Sequence, residues 1–87
     1  MTKSTTAAEL TVIARSPFHI YYEGPARVVS ATNRVGPFDV LPGHADFFSI
    51  LNPGKVMIDT VDKPIQFDIT DGIITVHDDQ VMLFANM

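Results

Sequence analysis

The sequence predicts an all-β domain, an antiparallel β-sandwich or flattened barrel of about eight to ten short strands. The choice of apolar residues is the first reason. Nine Val, eight Ile and eight Thr stand against only four Leu. β-Branched side chains lose rotamer freedom in a helix but pack well on a pleated surface. The second reason is punctuation. Pro17, Gly24-Pro25, Gly36-Pro37, Pro42-Gly43, Pro53-Gly54, Pro64 and Gly72 cut the chain into short runs. Segments of that length do not hold a typical helix of about 11 residues. Regular turn signals between short alternating runs complete the pattern.

Leu10, Val12 and Ala14 alternate with Thr11, Ile13 and Arg15, and Ser16-Pro17 ends this first strand. Phe18 to Tyr22 is aromatic and extended, closed by Glu23-Gly24-Pro25. Arg27 to Thr32 follows, with Asn33-Arg34 as a tight turn and Gly36 to Leu41 returning beside it. After the Pro42-Gly43-His44 loop, Phe47 to Leu51 is short and wholly apolar. Asn52-Pro53-Gly54 turns into Lys55 to Val61, and Asp62-Lys63-Pro64 forms the next hairpin tip. Ile65, Phe67 and Ile69 then alternate cleanly. Thr70-Asp71-Gly72 leads into Ile73 to His77, Asp78-Asp79 turns once more, and Val81 to Ala85 is the last strand.

Length bounds the architecture further. Eighty-seven residues make one domain, spanning residues 9–87 after a polar, flexible tail at residues 1–8. A chain this short buries about 60% of its unfolded surface, and it has no Cys to staple it. The absence of Cys points to a reducing compartment. The tail lacks the apolar centre of a secretory signal, and no apolar run approaches the length of a membrane span. A net charge of −4 argues against nucleic acid, which is held through cationic contacts to phosphate. The charge is uneven, because residues 45–87 carry seven acids against two bases.

Catalytic chemistry is scarce. His19, His44 and His77 never fall into an HxH or HxxxH pair, so no metal site or cofactor is expected. Asp78-Asp79 sits in a turn, where Asp serves the backbone. Ser16, Ser30 and Ser49 lack a nucleophile elbow, and the glycines lack phosphate-loop spacing. What stands out is apolar character on both faces of two strands. Met82 and Phe84 lie opposite Val81, Leu83 and Ala85, and Met57 lies opposite Val56 and Ile58. Two readings stay open. These side chains sit under a loop or barrel corner, or they form a Met- and Phe-rich patch for a protein partner.

One stretch is more specific. Gly24-Pro-Ala-Arg-Val-Val-Ser-Ala-Thr-Asn-Arg-Val-Gly36-Pro-Phe-Asp-Val-Leu-Pro-Gly-His44-Ala45 resembles the N-terminal domain of the epsilon subunit of F-type ATP synthase, called delta in mitochondria. Downstream, Asn52-Pro53-Gly54 is similar to the family's K-P-G. Thr70-Asp71-Gly72-Ile73-Ile74-Thr75-Val76 is similar to S-G-G-x-x-x-V, and Val81-Met82-Leu83-Phe84-Ala85 to the closing V-T-V-L-A. The chain departs from the pattern in three places. Pro-Phe-Asp follows Gly36 where Glu-Leu-Gly is usual, Asp46 replaces a Pro, and Asp71 replaces a Gly.

The resemblance implies a non-catalytic rotor component that links the gamma subunit to the membrane c-ring. It implies a cytoplasmic location, peripheral on the inner face of an energy-coupling membrane, with no direct insertion. By position, Arg34-Val35-Gly36 matches the family's c-ring-contacting loop, with His44 in a neighbouring loop. Met57, Met82 and Phe84 are the candidates for packing on gamma. The resemblance places the family's inhibition of ATP hydrolysis and its ATP binding in a C-terminal helical hairpin; no helical segment follows Ala85 in this sequence, so neither is expected here. Two alternatives remain. One is a stand-alone adaptor that kept the sandwich. The other is a lipoyl- or biotinyl-type carrier modified at Lys63, which stands at a hairpin tip.

Overall fold

In the computed structural model, residues 9–87 are described, and the tail expected at residues 1–8 lies outside them. Nine strands follow one another: β1 (Leu10–Arg15), β2 (Ile20–Ala26), β3 (Val28–Asn33), β4 (Gly36–Val40), β5 (Phe47–Leu51), β6 (Gly54–Asp59), β7 (Pro64–Ile69), β8 (Asp71–His77) and β9 (Gln80–Asn86). They form one curled sheet in the order β2-β1-β9-β8-β5-β3-β6-β7, with β4 paired on β3. The joint between β5 and β3 is a single residue pair, Asn33 on Leu51. That narrow joint lets a five-stranded arm fold over a four-stranded one. The pairings are antiparallel except β1 on β9, which is parallel and sets the first strand beside the last.

Three prolines lie within strands, and each is on an edge. Pro25 is in β2, Pro37 in β4 and Pro64 opens β7, strands with one paired neighbour apiece. Proline lacks the N–H that a second neighbour would need, so an edge tolerates it. This explains the main departure from the expected boundaries. β2 continues through Gly24-Pro25 as far as Ala26, where a turn was expected, because only its β1 side requires donors.

The chain crosses between arms at Thr70, the single residue separating β7 from β8. Its N–H donates to the Asn86 carbonyl at 2.8 Å, so the crossing is fixed to the end of β9 rather than closed as a hairpin. Alternation then sorts the side chains. On β9, Val81, Leu83 and Ala85 are buried while Met82 and Phe84 are exposed. Inward residues of both arms form one aliphatic core in which Leu10, Val12, Val29, Ile58, Ile74 and Leu83 are fully buried. Aromatic pairs close the two open sides, Tyr21 on Phe67 at 5.0 Å and Phe38 on Phe47 at 5.3 Å. Among the described residues, no buried side-chain polar atom lacks a hydrogen bond.

Candidate protein-docking surface

The outer face of the five-stranded arm is where apolar residues remain in water. Register aligns them in two rows across the strands. One row runs Ile13, Met82, Thr75, Phe48, and the next runs Arg15, Phe84, Ile73, Ile50. Phe48 and Ile50 are 62% and 67% exposed, and Met82, Phe84 and Ile73 just over 40% each. The core is complete without them, since their strand neighbours Leu83, Ile74 and Leu51 already fill the interior. Shallow hollows flank the rows, one of about 170 Å³ beside Ile13 and Met82 and one of about 300 Å³ beside Ile73 and Phe84. Gly72 forms part of the second hollow.

Met82 and Phe84 therefore share one surface, but Met57 does not join them. It projects from β6 on the four-stranded arm, opposite Ser30 on one side and Gln66 on the other. Gln66 Nε2 lies 3.6 Å from its sulfur, and Lys55 pairs with Asp68 nearby at 3.6 Å. That face is polar. Phe48, Ile50 and Ile73 belong to the apolar surface although alternation within β9 could not have named them. The wholly apolar run Phe47 to Leu51 was the available signal, and it needed the β5–β8 register to be read.

The β3–β4 turn is a built feature. Asn33 Oδ1 accepts from the N–H groups of Val35 at 2.9 Å and Gly36 at 3.2 Å, while Asn33 Nδ2 donates to Ser49 Oγ at 3.0 Å. Gly36 has φ +142°, a conformation that side chains disfavour, so the turn needs a glycine there. Arg34 is exposed, and Val35 is 91% exposed. Among the described residues, Arg34 takes part in no ion pair.

His44 occupies a different place. Asn33 registers on Leu51 and through it on Gly72, at the start of β8. The loop carrying His44 is tied instead beyond the far end of β8, where the Gly43 N–H donates to Asp79 Oδ1 at 2.8 Å. His77 Nδ1 also lies 2.9 Å from Asp46 Oδ2 in that loop, and the His44 ring packs edge-on against Phe47 at 5.4 Å. The hydrogen bond to Asp46 raises the pKa of His77, and the charge of Asp46 adds to it. The same bond lowers that of Asp46. His44 and the Arg34 turn thus stand towards opposite ends of β8.

Lys63 does stand at a turn tip, between β6 and β7. The turn is closed by Thr60, whose Oγ1 donates to the Lys63 carbonyl at 2.6 Å and accepts its N–H at 3.1 Å. Among the described residues there is no group of three His, Cys, Asp or Glu placed to hold a metal ion. Nor, among those residues, is any helix long and apolar enough to cross a membrane.

Residues 9–87 match the family described as the ATP synthase delta/epsilon chain, β-sandwich domain. The chain belongs to this family. Among its curated relatives, the ATP synthase epsilon chain of Xylella fastidiosa is 33% identical over 84 residues, covering 95% of this chain. That of Xanthomonas euvesicatoria is 30% identical over the same length. The chain spans 57% of either relative. Two solved assemblies share the fold. A chain of the Euglena gracilis mitochondrial ATP synthase (OSCP/F1/c-ring) superposes with TM-score 0.85 at 19% identity, covering 99% of this chain and 56% of that one. One from the Tetrahymena thermophila central stalk and c-ring gives 0.77 at 19%, covering 90% and 63%. Membership in this delta/epsilon family leaves the carrier reading of Lys63 without support.

Proposed function

We propose that this delta/epsilon β-sandwich is a non-catalytic rotor component of an F-type ATP synthase, linking gamma to the c-ring and so coupling ion flow to ATP synthesis. It acts peripherally on the inner face of an energy-coupling membrane. The observation that carries the reading is the doubled apolar row Ile13–Met82–Phe48 and Phe84–Ile73–Ile50 on the outside of a sheet whose interior is already filled. Contiguous apolar surface of this kind marks a protein interface. Gamma docks there through Met82 and Phe84, with Phe48, Ile50 and Ile73 extending the contact. Met57 is outside this surface, on the polar arm.

The Arg34-Val35-Gly36 turn faces the ring. Its exposed guanidinium, in no ion pair among the described residues, suits a complementary acidic contact that sets register and encounter rate more than affinity. His44, tied to the far end of β8, is left out of that contact. The test is a pair of variants. Met82→Asp or Phe84→Asp should abolish gamma binding while the domain stays folded, because a carboxylate would be desolvated without a partner. Arg34→Glu should spare gamma and weaken the ring. If folded variants of both kinds bind gamma and ring like the parent, the surface assignment is wrong.

A further inference from the structure

The most exposed large apolar side chain among the described residues is Phe18, at 97%. It stands at the tip of the β1–β2 connection, whose backbone is tied by local hydrogen bonds. Ser16 N–H donates to the His19 carbonyl at 2.8 Å, Phe18 N–H to Ser16 Oγ at 3.3 Å, and Arg15 Nε to the Ser16 carbonyl at 3.1 Å. An aromatic ladder anchors the base. His19 packs on Tyr21 at 5.5 Å, Tyr21 packs on Phe67, and the Tyr21 hydroxyl donates to the Ala85 carbonyl at 2.9 Å. The ladder takes His19 and leaves Phe18 in water.

Register locates this tip. Arg15 lies beside Phe84, Phe84 beside Ile73 and Ile73 beside Ile50. The next residue of β5, Leu51, is joined to Asn33 at the root of the Arg34 turn. Phe18 and Val35, the two most exposed large apolar side chains, therefore leave the sandwich from the same end. Charge marks that end too. Among the described residues, Arg15 and Arg34 are in no ion pair, whereas Asp68 there is paired with Lys55 and Asp71 is held by Asn86 Nδ2 at 2.7 Å. Asp46, Asp78 and Asp79 sit at the other end of β8.

We infer that Phe18 is a second contact point for the partner that receives Arg34, inserting its ring into an apolar recess flanked by carboxylates. The inference rests on the ring-facing reading of the Arg34 turn. Because the turn backbone is already hydrogen-bonded, docking has only the two side-chain torsions of Phe18 left to fix, a small conformational cost for a buried anchor. Partner carboxylates are called for by Arg15 and Arg34, and an apolar recess by Phe18 and Val35.

The experiment measures binding of the full chain to detergent-solubilised c-ring carrying gamma, and to gamma alone. Phe18→Ser should weaken ring association about tenfold or more while leaving gamma binding and the melting temperature unchanged. Phe18→Trp should restore ring association, since it keeps the aromatic face. If Phe18→Ser binds the ring like the parent while Arg34→Glu does not, this inference falls and the ring reading stands. If both bind like the parent, the ring reading falls and takes this inference with it. If the parent binds phosphatidylglycerol vesicles without any ring, and Phe18→Ser abolishes that, the tip is lipid-facing and the inference is overturned.

Discussion

His77 and Asp46 are paired at 2.9 Å although each is largely in water. The pair replaces, at position 46, the proline of the family pattern, and it clips the loop around His44 to the end of β8. His77 is raised by its hydrogen bond to Asp46, so its share of the stability is complete below the unfolded histidine range and is lost as pH rises through the folded value. Asp46 is lowered by the same bond, so its share is present above the unfolded carboxylate range and is lost as pH falls through the folded value. The clip is therefore tightest in the mildly acidic window between the two. Proton NMR should find His77 titrating above its ordinary range, with the elevation removed in Asp46→Asn; a His77 unmoved by that change would mean the pair does not persist in solution. Asn33 makes a second residue-scale case. Its carboxamide oxygen holds two turn N–H groups, so Asn33→Ala should cost about 1 kcal/mol. Amide exchange at Val35 and Gly36 should quicken, and unchanged exchange would show that the backbone holds the turn alone. The turn was legible from sequence, displaced by one residue. The role of Asn33 in bracing it against Ser49 was not, because the two come together only through the β3–β5 joint.

Strands read well wherever alternation was clean. β5 has the expected limits, and Ile65, Phe67 and Ile69 fall in β7 as their spacing required. β2 read poorly because Gly24-Pro25 carries a turn signal, and only its place at the sheet edge makes that signal harmless. Edge position is a property of non-local pairing, which local sequence does not encode. The same holds for β8, which begins at Asp71 where a turn residue was expected. Gly72 shows what pairing demands there. A Cβ at Gly72 would lie 3.0 Å from both the Ala85 Cβ and the Phe84 carbonyl oxygen, so any side chain there would push β9 back by a few tenths of an ångström. Gly72→Val should destabilise the domain by about 1–3 kcal/mol, the usual cost of overpacking. Chemical denaturation would report it, and an unchanged midpoint would mean the strands can separate freely. The face assignment has its own check in β9. Leu83→Asp should unfold the protein by burying a lone charge, whereas Met82→Asp one position earlier should leave it folded.

Across the whole molecule, an apolar sheet face on the five-stranded arm is distinct from a cationic, aromatic end to which both arms contribute. The fold class and the family were accessible from sequence because turn punctuation and ordered landmarks act locally. The exposed apolar face was only half legible. Met82 and Phe84 were found by alternation, while Phe48, Ile50 and Ile73 join them through register, and Met57 parts from them because β6 belongs to the other arm. If the two surfaces differ in chemistry as described, they should differ in their response to salt. Exposed charges separated by more than about 10 Å are largely screened at 0.1 M ionic strength, whereas apolar burial is not weakened by such salt. Titrating salt at fixed pH should therefore weaken ring association through the Arg34 end steeply, and gamma association through the Met82–Phe84 face hardly at all. Arg34→Glu should flatten the ring's salt dependence in addition to lowering its affinity, because the reversed charge repels the partner carboxylates and salt screens that repulsion along with the remaining attraction. Phe84→Asp should lower gamma affinity without creating a comparable salt slope. Isothermal titration at several salt concentrations distinguishes these cases. Equal slopes for the two partners would show that charge is not confined to one end of the interface.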